Sequence, residues 1–169
     1  MRIEHEYYFD SSKATRSKAD SELADDLKKF FSYIPVRELY VDPAAASLKI
    51  ELRNRNVPVI DAKNDVLPGI KTVGKFVHGK NLVISRNCPT LIEQMQTYSW
   101  DPKAADRGID EPLKKDDHAC DALRYLCYSH FPDGEIKGSM LDIDAIHRDF
   151  IGQNYHSFTP AAMQTGGYY

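Results

Sequence analysis

The 169-residue sequence contains no apolar run approaching the roughly 18 residues that a membrane-spanning helix needs. Nothing at its start resembles a secretory signal either, because Met1-Arg2-Ile3-Glu4 opens directly into an alternating, strand-like pattern. Cysteine is scarce: Cys88, Cys120 and Cys127 form no CxxC pair and are odd in number. That argues against a zinc site and a disulfide framework, and for reduced, buried thiols in a cytosolic protein. Excess positive charge is lacking as well. Lys plus Arg total 22 against 25 Asp plus Glu, a net charge of −3, which excludes a histone-like protein but not an enzyme acting on nucleic acid. No internal repeat is visible.

What the chain does have is 42% hydrophobic and 28% charged residues, a composition that fits neither disorder nor a membrane protein. Its length suits one domain able to bury a core unaided. Charge is unevenly distributed. Between Val66 and Ile92 no acid occurs, while Lys71, Lys75, Lys80 and Arg86 supply four positive charges. The acids gather elsewhere, notably at Asp116-Asp117. A basic stretch near an acidic cluster suits a metal-dependent phosphodiester site, although a solvated face is the commoner cause of such a run.

Alternation over residues 2–9 predicts a strand. A helix is expected from about Asp20 to Tyr33, capped by Asp20 or Ser21 and stopped by Pro35. Glu38–Asp42 reads as a strand ended by Pro43, residues 44–54 as a helix, and Val57–Ile60 as the next strand. With such short loops these form a βαβ unit with parallel strands. Further helices are expected over 66–77, 90–98 and 117–131, with a short strand at Leu82–Ile84 and a loop over 101–116. Residues 132–169 form a second, partly irregular segment, loosest from 155 onward.

Three motifs bear on chemistry. Gly69-Ile70-Lys71-Thr72-Val73-Gly74-Lys75 matches GxxxxGK, but Phe76 stands where a P-loop needs Ser or Thr, and the stretch reads as helical. No nucleotide site is expected. Asp42, at the C-terminal end of a parallel strand, lies where ligands collect in open α/β sheets, and can be a metal ligand or simply a cap for the next helix. In Asp116-Asp117-His118-Ala119-Cys120-Asp121-Ala122-Leu123-Arg124-Tyr125, helical spacing puts Asp117, His118, Asp121, Arg124 and Tyr125 on one broad face. Two carboxylates one turn apart with an imidazole between suit Mg²⁺ or Mn²⁺ better than zinc. The plainer alternative is a helix capped by Asp116 or Asp117 with an Asp121–Arg124 pair.

The Asp117–Tyr125 segment closely resembles the C-terminal acidic motif, DHxxDAxRY, of the nuclease domain in tailed-phage large terminase subunits. Tyr40-Val41-Asp42-Pro43-Ala44 is similar to that family's middle acidic motif, and Glu93–Asp101 to the segment before the last one. The resemblance covers roughly residues 2–131. It implies an RNase H-like mixed α/β sheet flanked by helices, and a viral DNA-packaging endonuclease that cuts concatemeric phage or prophage DNA in the bacterial cytoplasm with two divalent metals, Mg²⁺ or Mn²⁺. Double-stranded DNA, the small terminase subunit and the portal or procapsid are the implied partners.

Carried over, Asp42 is the middle carboxylate, Asp121 the last, and His118 a site histidine. Asp117 is a further ligand or supporting group, and Lys71, Lys75, Lys80 and Arg86 contact DNA phosphates. The family's first acidic motif, on the central strand of its sheet, has no counterpart here. The chain is therefore expected to be truncated within the nuclease domain, with Glu6 or Glu4 as weak stand-ins for the absent ligand. The alternatives are an inert remnant serving as a DNA- or portal-binding module and, more remotely, another RNase H-like nuclease such as a junction resolvase.

Overall fold

A computed structural model describes residues 1–134; the expectations for the segment beyond, including the tail from 155, lie outside the described residues. In chain order the elements are β1 (Arg2–Ile3), α1 (Asp20–Phe30), β2 (Leu39–Val41), α2 (Ala46–Asn54), β3 (Val59–Asp61), α3 (Val66–His78), β4 (Val83–Ile84), α4 (Pro89–Thr97), α5 (Pro102–Ala105) and α6 (His118–His130). The class is mixed α/β. β2 and β3 pair in parallel, Leu39 with Val59 through Val41 with Asp61, and α2 connects them, so the βαβ unit forms as its short loops require. β1 pairs in parallel with β4, Arg2 with Val83 and Ile3 with Ile84. Among the described residues these are two separate two-stranded sheets.

Several expectations need correction. The strand expected over 2–9 ends at Ile3, because its partner β4 is two residues long and turns away at Ser85, whose carbonyl accepts the Cys88 amide. Beyond it, the Glu6 carboxylate accepts the amides of Thr90 (2.8 Å) and Leu91 (3.0 Å), which holds the segment against the start of α4. Helix α1 stops at Phe30 rather than Tyr33, since Pro35 bars Ile34 from helical backbone and the chain closes in tight turns first. Its N-cap is Ala19, not Asp20 or Ser21. Glu22 reaches back to the Ala19 amide (2.9 Å), which is one half of a capping box; alanine has no oxygen for the other half. The expected 101–116 loop contains α5, started by Asp101, whose carboxylate accepts the Lys103 amide, and by Pro102 at the first helical position.

One core joins α3, α4 and α6 to the β1–β4 pair: Phe76, Cys88, Leu91, Leu123 and Cys127 are buried, with Ile3, Val73, Ile84 and Phe131 packed around them. A second packing face sits under α1 and α2, where Ala24 and Leu52 are fully buried. Here α2 turns Lys49 inward and leaves Ile50 exposed. The Lys49 ammonium bonds the Pro43 carbonyl (2.9 Å) and Asp61 (2.7 Å), which ties the start of α2 to the end of β3.

All three cysteines are free and buried. Burial lifts the Cys120 thiol to about 11 and the Cys127 thiol to about 12. These two lie seven residues apart on α6, about 10 Å along the axis, too far to bridge. Thiol titration in denaturant should count three groups, and native protein at pH 8 should react slowly at all three. A count below three would reveal a bridge that the fold does not contain.

Candidate functional site

The site is organised by how α6 lies against β2. Tyr125 donates its hydroxyl to Asp42 Oδ2 (2.7 Å) just past the C-terminal end of β2, while His130, five residues further along α6, meets Tyr40 (3.0 Å) in the middle of the strand and Glu38 (3.1 Å) just before it. Helix and strand therefore run in opposite directions. The first turn of α6, carrying Asp117 and Asp121, projects past the edge where Asp42 sits. Asp121 precedes Tyr125 by one turn, a rise of about 6 Å. Asp42 and the acidic turn of α6 are thus at the same end of the β2–β3 sheet.

Asp42 is not the cap of α2 that its position suggested, because the helix starts two residues later than expected and its N-cap is Ala45. Asp42 Oδ1 accepts the Ala44 amide (2.8 Å) at the entry to α2, its Oδ2 the Tyr125 hydroxyl. The Ala44 amide first, and then Tyr125, hold the Asp42 carboxyl below its ordinary range. Burial, with the bond to Asp42, pushes the Tyr125 hydroxyl up to about 12; burial and the neighbouring Asp121 do the same for Tyr98. Both phenols stay protonated at working pH.

Asp121 is held by Arg124. The guanidinium, 3% exposed, bonds Asp121 Oδ1 from Nε (3.2 Å) and Nη2 (2.9 Å), and Nη1 reaches the Asn64 and Asp65 carbonyls (2.7 and 3.3 Å) just before α3. Arg124 is therefore not on an open polar face but inside the α3–α6 contact. Gly69 makes room for it: a Cβ there would lie 2.5 Å from Arg124 Cγ. The glycine of the GxxxxGK stretch has a packing reason, and that stretch is helical as expected, within α3.

Asp117 sits at the N-cap of α6 yet makes no cap hydrogen bond, so the plain capping alternative does not describe it. Its side chain is 8% exposed, and Oδ2 is the buried side-chain atom without a hydrogen-bond partner among the described residues. The start of α6 is instead served by Gln94 of α4, whose Oε1 accepts the Ala119 amide (2.7 Å). Sequence reasoning missed Gln94 and Lys114. Lys114 stands 3.4 Å from Asp117 Oδ2 and 3.8 Å from Asp121 Oδ2. A buried glutamine and a loop lysine carry no spacing signal.

The other expected residues fall less centrally. His118 is 80% exposed, with Nδ1 3.9 Å from Asp117 Oδ1. Glu6 has both oxygens committed to the amides of α4, and Glu4 is paired with Arg2 (2.6 Å). Lys71, Lys75, Lys80 and Arg86 are all exposed, Lys75 donating to the Asp133 carbonyl (2.7 Å). Among the described residues no three His, Cys, Asp or Glu side chains converge as one metal-binding group.

The geometry defines an α/β domain with an acidic helix start beside a strand-end carboxylate. No protein-family model matches the chain. It is 26% identical over 127 residues to the terminase large subunit of Escherichia phage T5, covering 73% of this chain and 29% of that protein. The large terminase of the thermophilic bacteriophage D6E, solved with ATP-γ-S and with ADP, superposes with a TM-score of 0.71 at 39% identity, over 74% of this chain and 32% of the other. The chain is a relative of the large terminase subunits of bacteriophages. It spans about a third of their length.

Proposed function

We propose that this chain supplies most of a metal-dependent DNA-cleaving domain of the terminase kind, serving viral DNA packaging. The reading is carried by one observation: the Tyr125–Asp42 bond draws together the two acidic motifs, 83 residues apart at the bonded pair, at one sheet edge. An RNase H-like sheet would have a further strand joining the β1–β4 and β2–β3 pairs, and their separateness accords with that arrangement.

The candidate donors at this end of the sheet are carboxylate oxygens, which suit Mg²⁺ or Mn²⁺, and the orphaned Asp117 Oδ2 is what a cation would satisfy. Asp121 and Asp42 would hold the metal, with Asp117 beside them. When bound, such ions polarise a phosphate and activate water. Arg124 fixes the orientation of Asp121, and Tyr125 that of Asp42, so the carboxylates are positioned before substrate arrives. His118, exposed at the helix start, can accept or release a proton. Lys71, Lys75, Lys80 and Arg86 would meet phosphates of double-stranded DNA without reading its sequence. The small terminase subunit and the portal or procapsid, in the bacterial cytoplasm, are the partners this role entails.

Nicking of supercoiled plasmid with Mn²⁺ tests the proposal. Three forms are compared: residues 1–169, the same chain extended at its N-terminal side by the acidic-strand segment of a large terminase, and the extended Asp121→Ala variant. The expected results are little or no nicking, clear nicking, and a loss of at least ~100-fold. Robust cutting by residues 1–169 alone would mean that Glu6 or another group completes the ligand set. Binding of DNA by the extended form without cutting would favour a binding module, and cutting that survives Asp121→Ala would overturn the assignment.

A further inference from the structure

We propose that Lys114 is a tethered counter-ion occupying the position of a divalent cation between Asp117 and Asp121, so that cation binding must displace it. This rests on the metal-dependent reading above and concerns how that same site is regulated. Asp117 is the starting point. Its side chain is more than nine-tenths buried, it does not cap α6, and its Oδ2 has no hydrogen bond. A carboxylate oxygen removed from water without a donor is unfavourable unless a cation meets it. The cation that meets it is the Lys114 ammonium, and it does so incompletely. At 3.4 Å from Asp117 Oδ2 and 3.8 Å from Asp121 Oδ2, it lies beyond the 2.7–2.9 Å or so of a direct charge-assisted hydrogen bond. It balances charge without saturating either oxygen.

The surroundings direct both oxygens to one point. Arg124 occupies Asp121 Oδ1 and leaves Oδ2 turned towards Lys114. Asp117 and Asp121 are one helical turn apart, the Asp121 amide bonding the Asp117 carbonyl at 2.8 Å. A small dication carries twice the charge of an ammonium and binds carboxylate oxygens at about 2.0–2.2 Å, so it can satisfy both where the lysine cannot. Lys114 is able to leave. Its side chain is 64% exposed, and it borders an open groove formed with Asp65, Pro68, Ile109 and Glu111. The displaced ammonium would then be free at the rim of the site, where an incoming phosphate could meet it.

The test is Mn²⁺ binding to the full chain, followed by loss of the free-ion paramagnetic resonance signal, for the parent, Lys114→Met, Asp117→Asn and Asp121→Asn. Removing the competing ammonium should tighten Mn²⁺ binding about 5–10-fold, and Asp117→Asn should weaken it at least ~10-fold. Thermal unfolding gives a second readout: Lys114→Met should be less stable than the parent without metal and recover with saturating Mn²⁺. Unchanged or weaker binding by Lys114→Met would overturn the counter-ion role. Unchanged binding by Asp117→Asn, with loss in Asp121→Asn, would remove Asp117 from the site and leave the nuclease proposal standing. Binding that survives Asp121→Asn would overturn the metal reading itself, and no binding by either the parent or Lys114→Met would overturn the cation position proposed here while leaving the extended chain to decide the nuclease reading.

Discussion

Arg124→Met should lower unfolding stability by about 3 kcal/mol, measured as a shift in the urea midpoint at unchanged slope. Methionine can fill the space of the arginine stem, so packing is not what is lost. The guanidinium is 3% exposed and makes two bonds to Asp121 and two to the Asn64 and Asp65 carbonyls. Its removal leaves the partly buried Asn64 carbonyl bond unmade and a largely buried carboxylate without its donor, and a desolvated group left unpaired costs more than the bond contributed. Lys114 near the other Asp121 oxygen limits the penalty to the lower part of the usual range for a broken buried pair. Arg124→Lys should recover less than half of the loss, because one ammonium cannot reach Asp121 and Asn64 together. A loss below about 1 kcal/mol would show that the guanidinium does not hold α6 to the start of α3.

Two glycines of α3 should respond to alanine with opposite signs. At Gly69 the new Cβ would meet Arg124 Cγ at 2.5 Å and Cδ at 2.9 Å. Those atoms lie mid-chain in a side chain pinned at its far end, so they cannot swing aside. Overpacking of this kind costs about 1–3 kcal/mol, and displacing Arg124 adds part of its own penalty. Against this stands a gain of about 1 kcal/mol in helix propensity. The clash wins, and Gly69→Ala should be destabilising by about 2 kcal/mol. At Gly74 the Cβ would meet nothing within 4 Å, so propensity acts alone. Gly74→Ala should stabilise by about 0.5–1 kcal/mol. Equal effects at the two positions, read from thermal or urea unfolding, would contradict the packing described for Arg124.

Much of the local structure was legible because it depends on local pattern. The helices over 66–77 and 117–131 and the βαβ unit around Asp42 follow from apolar spacing and short loops, and the observed bounds differ by a residue or two. The misses have separate causes. The 2–9 strand shortened because a strand needs a partner of equal length, and β4 supplies two residues. Ala19 is the N-cap without a side-chain cap bond, its own amide held by Glu22 from within the helix. Helix α5 went unseen although Asp101-Pro102 is a recognisable helix start, because a four-residue helix has no period to detect.

The sequence by itself determined which chemistry is available here: the Asp117–Tyr125 motif, the strand-end position of Asp42, and the resemblance to large terminases that those residues carry. Periodicity and residue type are properties of neighbours along the chain, and these features need nothing more. Only the tertiary structure decided how the groups are used. The Asp121–Arg124 pair is the i,i+3 pair that the sequence already offered, but the tertiary structure turned Arg124 inward onto the Asn64 and Asp65 carbonyls, gave Tyr125 to Asp42 and committed Glu6 to the amides of α4. Each of these tertiary contacts joins groups far apart along the chain, and depends on how α6 packs on β2 and α3 or how the segment after β1 packs on α4. The burial that makes Asp117 notable exists only once that packing has excluded water.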